Sequence, residues 1–148
     1  MGSLILPATG PVYADAQIFI YSVEKHPTYA PALRPLWEAV DRGDFEVVSS
    51  ELTLLETLIG PLKQGDVALE ADYENVFVSP GIRLLPITAP ILRTAARHRA
   101  VLSRLRTPDA LHAATGGSCG CTLFLTNDVI FRRIPGLPVI ILDDVLGP

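Results

Sequence analysis

Four carboxylates stand at positions where chemistry gives the simplest common account of them. Asp15 directly follows the short apolar run Pro11-Val12-Tyr13-Ala14, and Asp128 follows Thr122-Leu123-Phe124-Leu125 after only Thr126 and Asn127. Glu56 lies within Leu52-Thr53-Leu54-Leu55-Glu56-Thr57-Leu58-Ile59, and Asp109 sits in Thr107-Pro108-Asp109-Ala110-Leu111-His112. An acid among leucines carries a desolvation cost unless a cation or hydrogen-bond donors offset it. Taken singly, each has a plain structural explanation: a helix N-cap for Asp15 and Asp128, a favourable place in the helix dipole for Asp109, a helix edge for Glu56. Taken together and brought to one place, they would repel one another without a divalent cation. Oxygen-only ligation selects hard ions, so Mg2+ or Mn2+ is the expected occupant. Such ions flank a phosphodiester, activating water on one side and stabilising the leaving oxygen on the other, which is the chemistry of a nuclease.

The elements that must position these acids are legible as short apolar runs alternating with stretches of helical period. Strands are expected at 11–14, 45–48, 82–87, 122–125 and 138–142. Helices are expected over 18–23, 27–42, 67–78 and 90–102, and one from the caps Ser49-Ser50 to Leu58 or Ile59, ended by Gly60-Pro61. A further helix starts from Thr107 as N-cap with Pro108 at its first position, and ends at Gly116-Gly117. Leu33, Leu36, Trp37 and Val40 recur at helical spacing, which places Trp37 in the core. Strands separated by helices predict a three-layer α/β/α architecture around a mostly parallel sheet of about five strands. In such open sheets ligands bind beyond the carboxyl ends of the strands, where Asp15 and Asp128 lie.

The chain has 148 residues, 49% of them hydrophobic and 19% charged, which suits one domain over 1–148 and excludes disorder as its main state. The mean hydropathy of +0.35 requires a membrane span to be weighed. No run approaches the roughly 18 uninterrupted apolar residues of a spanning helix. Met1-Gly2-Ser3-Leu4 has no basic stretch before its apolar residues, so no secretory signal is expected. Two cysteines, Cys119 and Cys121, are too close for a comfortable mutual disulfide and too few for a zinc site, and the expected setting is cytoplasmic.

In their order along almost the whole chain, the segments Asp15-Ala16-Gln17-Ile18-Phe19-Ile20-Tyr21, Ser50 to Glu56, Arg106 to His112 and Leu125-Thr126-Asn127-Asp128 resemble the PIN domain, in particular the VapC-type toxin ribonucleases. The resemblance implies a Mg2+- or Mn2+-dependent endoribonuclease that leaves a 5′-phosphate and is held inactive by a cognate antitoxin. It maps the acidic metal site onto Asp15, Glu56, Asp109 and Asp128, with Thr126 and Asn127 supporting those acids from behind. It also implies a homodimer built through helices of the N-terminal half. The sequence departs from the family at Ala16 and Gln17, where Thr or Ser followed by Asn or Ser is usual. A PIN-like scaffold that binds RNA or protein without cleaving therefore stays open as the alternative. A haloacid dehalogenase-type phosphatase is disfavoured because position 17 is Gln where it needs a second Asp. A receiver domain is disfavoured because the only adjacent acidic pair is Asp143-Asp144.

Other features are weaker. His112 shares a helix face with Asp109, where packing is the commoner role of a histidine and reaching a metal or phosphate the alternative. Cys119-Gly120-Cys121 reads as turn and strand residues, Gly116-Gly117-Ser118 follows a helix instead of opening one, and the tyrosines are too scattered for a base-stacking platform. The net charge of −4 conceals a polarity: residues 1–74 carry −8 and residues 75–148 carry +4. Between Glu74 and Asp109 there is no acid and there are six arginines, 83, 93, 97, 99, 104 and 106. A solvated basic face is one account of them; a phosphate-contacting rim, formed chiefly by Arg93, Arg97, Arg104 and Arg106, is the other.

Overall fold

The computed structural model describes residues 2–147. In chain order it contains β1 (Val12–Ala14), α1 (Ala16–Val23), α2 (Tyr29–Asp41), β2 (Val47–Ser50), α3 (Leu52–Gln64), α4 (Val67–Phe77), β3 (Ile82–Leu85), α5 (Ala89–Val101), α6 (Thr107–Ser118), β4 (Leu123–Thr126), a 3-10 turn (Val129–Arg133), β5 (Val139–Ile141) and α7 (Leu142–Leu146). The strands form one sheet in the order β3-β2-β1-β4-β5, and every neighbouring pair is parallel. The expected α/β architecture is therefore present, with the sheet wholly parallel. The chain winds outward from β1 through β2 to β3, then crosses back to lay β4 on the other side of β1. The gap beyond the carboxyl ends of β1 and β4 is thus the topological switch point, where such sheets open a crevice.

Alternation along the strands divides the core between the two sheet faces. Val12, Ala14, Val47, Leu123 and Leu125 join Ile18, Phe19, Leu33 and Leu36 of α1 and α2 on one face. Tyr13, Val48 and Phe124 join Ile91 and Ala95 of α5, Ala110 and Ala113 of α6, and Phe131 on the other. Tyr13 stacks on Phe124 with centroids 4.7 Å apart and planes 7° apart, and Phe124 in turn meets Phe131. Trp37 is only half-buried, tilted against Phe19 with its indole N–H donating to Ser22 Oγ at 2.7 Å.

Several local boundaries differ from the sequence expectation. Ser49 and Ser50 end β2 as fully buried residues, and Glu51 takes the N-cap position of α3; Ser50 Oγ still accepts the amide of Leu52, the first residue of α3, at 3.1 Å, whereas Ser49 Oγ donates to the Ala14 carbonyl at 2.6 Å. The helix α3 runs through Gly60 and Pro61 and stops at Gly65, whose φ of 65° is the left-handed C-terminal conformation. Pro61 is buried, so the packing of its ring offsets the one intrahelical bond that its missing N–H removes. Arg106, one residue before the expected Thr107, is the N-cap of α6, and that helix runs past Gly116-Gly117 to Ser118. Gly116 is not a terminator: a Cβ there would stand 2.6 Å from Phe124 Cδ2, so glycine is what lets α6 lie close against β4.

Candidate active site

The residue after β1 is Asp15. It occupies the N-cap position of α1, yet its carboxylate makes no capping bond. Instead Thr126, the last residue of β4, donates its hydroxyl to Asp15 Oδ2 at 2.5 Å, and the same Thr126 oxygen accepts from the Asp128 amide at 3.1 Å. Thr126 thus links the Asp15 carboxylate to the backbone of Asp128. Asp15 Oδ1 is buried and has no hydrogen-bond partner among the described residues. Burial pushes the Asp15 carboxyl above its ordinary value, against the opposing pull of His112 and the Thr126 hydrogen bond.

The other three acids approach from separate elements. Glu56, on the second turn of α3, accepts from His112 Nε2 at Oε1, 2.6 Å away. Asp109 is the third residue of α6 and reaches back to the Arg106 amide at 3.1 Å, satisfying a free helix N–H. Asp128 is exposed and accepts the Ile130 amide at 3.0 Å, starting the 3-10 turn. All four line one crevice of about 670 Å³ at the switch point, together with Gln17, Tyr21, Arg106, His112 and Asn127. A larger cleft of about 830 Å³ lies at the amino ends of the strands, around Gly10, Glu46 and Gly81, and collects no comparable set of acids.

All four carboxylates are drawn onto internal donors, as mutually repelling charges are. Among the described residues no three His, Cys, Asp or Glu side chains are gathered tightly enough to grip one ion. The donor set nonetheless fits a hard divalent cation: four carboxylates line the crevice, and Asp15 Oδ1 is a buried acceptor with no donor among the described residues. Such an orphan costs about 1–3 kcal/mol in a protein interior. A positive ion in the crevice would relieve it.

Other expectations divide. Among the described residues the Asn127 side chain makes no hydrogen bond to the four acids; its amide donates to the Tyr21 hydroxyl at 3.2 Å and accepts from the Asp143 amide at 2.8 Å, bridging α1 and α7 along the crevice wall. The tyrosines are less scattered than their numbers: Tyr21 and Tyr29 lie 4.3 Å apart, and His26 is 4.5 Å from Tyr29. Arg93, Arg97, Arg104 and Arg106 are exposed, but only Arg106 lines the crevice. Arg99 braces the turn into α6 through the Leu105 carbonyl and Thr107 Oγ1, and Arg83 pairs with Glu46 at 3.2 Å. Cys119 donates its thiol to the Gly116 carbonyl at the end of α6, the turn role expected of it.

Sequence reasoning missed the group behind Glu56. His112 is buried, with Nδ1 2.7 Å from the Tyr13 hydroxyl, and the Ser50 amide donates to that same hydroxyl at 3.1 Å. Tyr13 reads in sequence only as a strand residue, because its two hydrogen-bond partners are supplied by β2 and α6, and Glu56 beyond His112 by α3. No local pattern records such a meeting.

Among the described residues no helix is long and apolar enough to cross a membrane. No curated protein matches the chain. In fold it is similar to VapBC2 from Rickettsia felis bound to a DNA fragment from their promoter, at 19% identity over 87% of this chain and 96% of that one, with a TM-score of 0.69. It is similar to Mycobacterium tuberculosis VapC20, described as a sarcin-ricin loop cleaving toxin, at 15% identity over 82% and 92%, with a TM-score of 0.68. VapBC-5 from the same organism is 26% identical over 91% and 98%, with a TM-score of 0.59. The sequence matches the PIN domain over residues 12–137, which takes in every strand but β5 and all four acids of the crevice; the chain belongs to the PIN domain family.

Proposed function

We propose that this chain is a VapC-like endoribonuclease whose Mg2+ or Mn2+ site is made by Asp15, Glu56, Asp109 and Asp128. One observation carries the reading: a buried, unpartnered Asp15 oxygen in a crevice lined by three further carboxylates at the switch point of the sheet. The ion, when bound, supplies Lewis acidity toward a phosphodiester. The chain supplies the rest. Thr126 holds the Asp15 carboxylate in place, the Arg106 amide holds Asp109, and the Arg106 side chain at the crevice rim offers a cation to the RNA backbone. An antitoxin partner is supported by the toxin-antitoxin complexes among the similar structures. A homodimer is supported by an exposed apolar row on α3, Leu55, Ile59 and Leu62, in the N-terminal half of the chain.

Purified chain, free of any antitoxin, is expected to cleave structured RNAs with Mn2+ and not with EDTA. A sarcin-ricin loop hairpin is the first RNA to try. Retained cleavage in Asp109→Asn would remove the assigned site. A wild type that binds RNA but never cuts it would favour the non-cleaving module that Ala16 and Gln17 leave open.

The basic rim makes a separate prediction. Replacing Arg97 and Arg104 together by alanine is expected to weaken RNA binding and to flatten its salt dependence by about 0.7 in log–log slope per lost phosphate contact. Fluorescence anisotropy between 50 and 200 mM salt measures this. An unchanged slope would leave these arginines as a solvated face.

A further inference from the structure

The polar chain under the crevice has a direction, and the direction decides what it does. It begins at the Ser50 amide, which can only donate, and which donates to the Tyr13 oxygen at 3.1 Å. The phenol has one hydrogen, and His112 Nδ1 at 2.7 Å is the acceptor facing it. With Nδ1 accepting, the ring's own N–H is at Nε2, where it donates to Glu56 Oε1 at 2.6 Å. Both rings are held by packing: Tyr13 is wholly buried and stacked on Phe124, and His112 is 4% exposed and edge-on to Tyr13.

We propose that Tyr13 and His112 are positioning residues for Glu56, a relay anchored at the Ser50 amide that presents a fixed N–H to Oε1 and leaves Oε2 for the crevice. This rests on the reading of Glu56 as part of the nuclease site. Its logic is that of a ligand oriented from behind: a carboxylate on a flexible stem of two methylenes loses less freedom on binding a cation if one oxygen is already held. The relay also fixes the tautomer. A histidine whose Nδ1 lacked the phenol could place its hydrogen on either nitrogen, and in one of those forms it would turn a lone pair toward Glu56.

The test uses the full chain. In EDTA at pH 8, a long-range 1H–15N correlation is expected to show His112 with Nε2 protonated and Nδ1 bare, and Tyr13→Phe to admit the other tautomer and move the Glu56 carboxyl 13C shift. Mn2+ affinity by electron paramagnetic resonance is expected to fall about 10- to 100-fold in Tyr13→Phe and in His112→Leu, which keeps the bulk but not the N–H. His112→Gln, whose amide N–H can take the place of Nε2–H, is expected to recover at least half of that loss on a logarithmic scale. Thermal melts identify any variant that fails to fold. The relay is overturned if wild-type Nδ1 carries the hydrogen, if folded His112→Leu leaves the Glu56 shift unmoved, or if Gln does no better than Leu. A wild type that binds no Mn2+ and cuts no RNA would sink the nuclease reading instead, while the tautomer and the Glu56 shift would still decide the relay.

Discussion

Asp15→Asn is expected to lower RNA cleavage by about 10²–10³-fold, the size of effect seen when one charge-stabilising group is removed from a preorganised centre, and to make the protein more stable. The two effects have one origin. Asp15 is buried, its Oδ1 has no partner, and burial pushes its carboxyl above the ordinary value of 3.8. Because the folded state then holds a proton more tightly than the unfolded one, stability falls as pH rises from 3.8 through the raised folded value, and the whole cost is present above it. Asparagine carries no charge at any pH. At pH 8 in EDTA its melting temperature is expected to exceed the wild type's by roughly 2–4 °C, which at this size corresponds to about 1 kcal/mol. Below pH 3.8, where the wild-type carboxyl is also neutral in both states, that gain should vanish. Calorimetry at the two pH values, beside the cleavage assay, checks both halves; a less stable variant at pH 8 would mean that Asp15 is held by something other than what surrounds it here.

The second large effect is at a residue that touches no acid. Gly116→Val would place a branched side chain where even a Cβ stands 2.6 Å from Phe124 Cδ2 and 3.4 Å from Tyr13 Cγ. Phe124 is itself packed between Tyr13 and Phe131, so it has nowhere to retreat. Overpacking of this kind costs about 1–3 kcal/mol, and α6 must move off the sheet to relieve it. Since α6 carries Asp109 and His112, cleavage is expected to fall along with a melting temperature lowered by roughly 2–10 °C. Gly117→Ala is the control. Nothing lies within 4 Å of its Cβ position, and alanine in a helix is worth about 0.5–1 kcal/mol over glycine, so this neighbour is expected to stabilise. Equal effects at the two positions would mean that the close approach of α6 to β4 is not what Gly116 serves.

How much of this was legible beforehand varied with the range of the cause. Asp15 and Asp128 were readable because a strand end is marked by its own apolar run, and a parallel sheet gathers strand ends at one edge. The cap of α5 is equally local: the Thr88 hydroxyl accepts the Ile91 amide at 3.4 Å. Gly60-Pro61 misled because glycine and proline are local stop signals, whereas α3 is carried past them by the burial of Pro61 and ended by Gly65. Gly116-Gly117 misled for the opposite reason, one glycine being demanded by a ring on another element. Asp109 was read as a dipole residue or a ligand; its carboxylate in fact takes the Arg106 amide, and the ligand role remains the proposal. The Tyr13-His112-Glu56 chain spans 99 and 56 positions in sequence, beyond any periodicity.

The placement of β1 between β2 and β4 also sets the order in which the crevice can come into being. Asp15 leaves the ribosome early, but the hydroxyl that holds it belongs to Thr126, 111 residues later. At about 5–20 residues per second, that interval lasts roughly 5–20 s. Throughout it β1 lacks its neighbour on one side, and Asp15 lacks the hydroxyl that holds it. A nascent chain of this topology therefore cannot complete the crevice during most of its synthesis, and the crevice closes only when β4 docks.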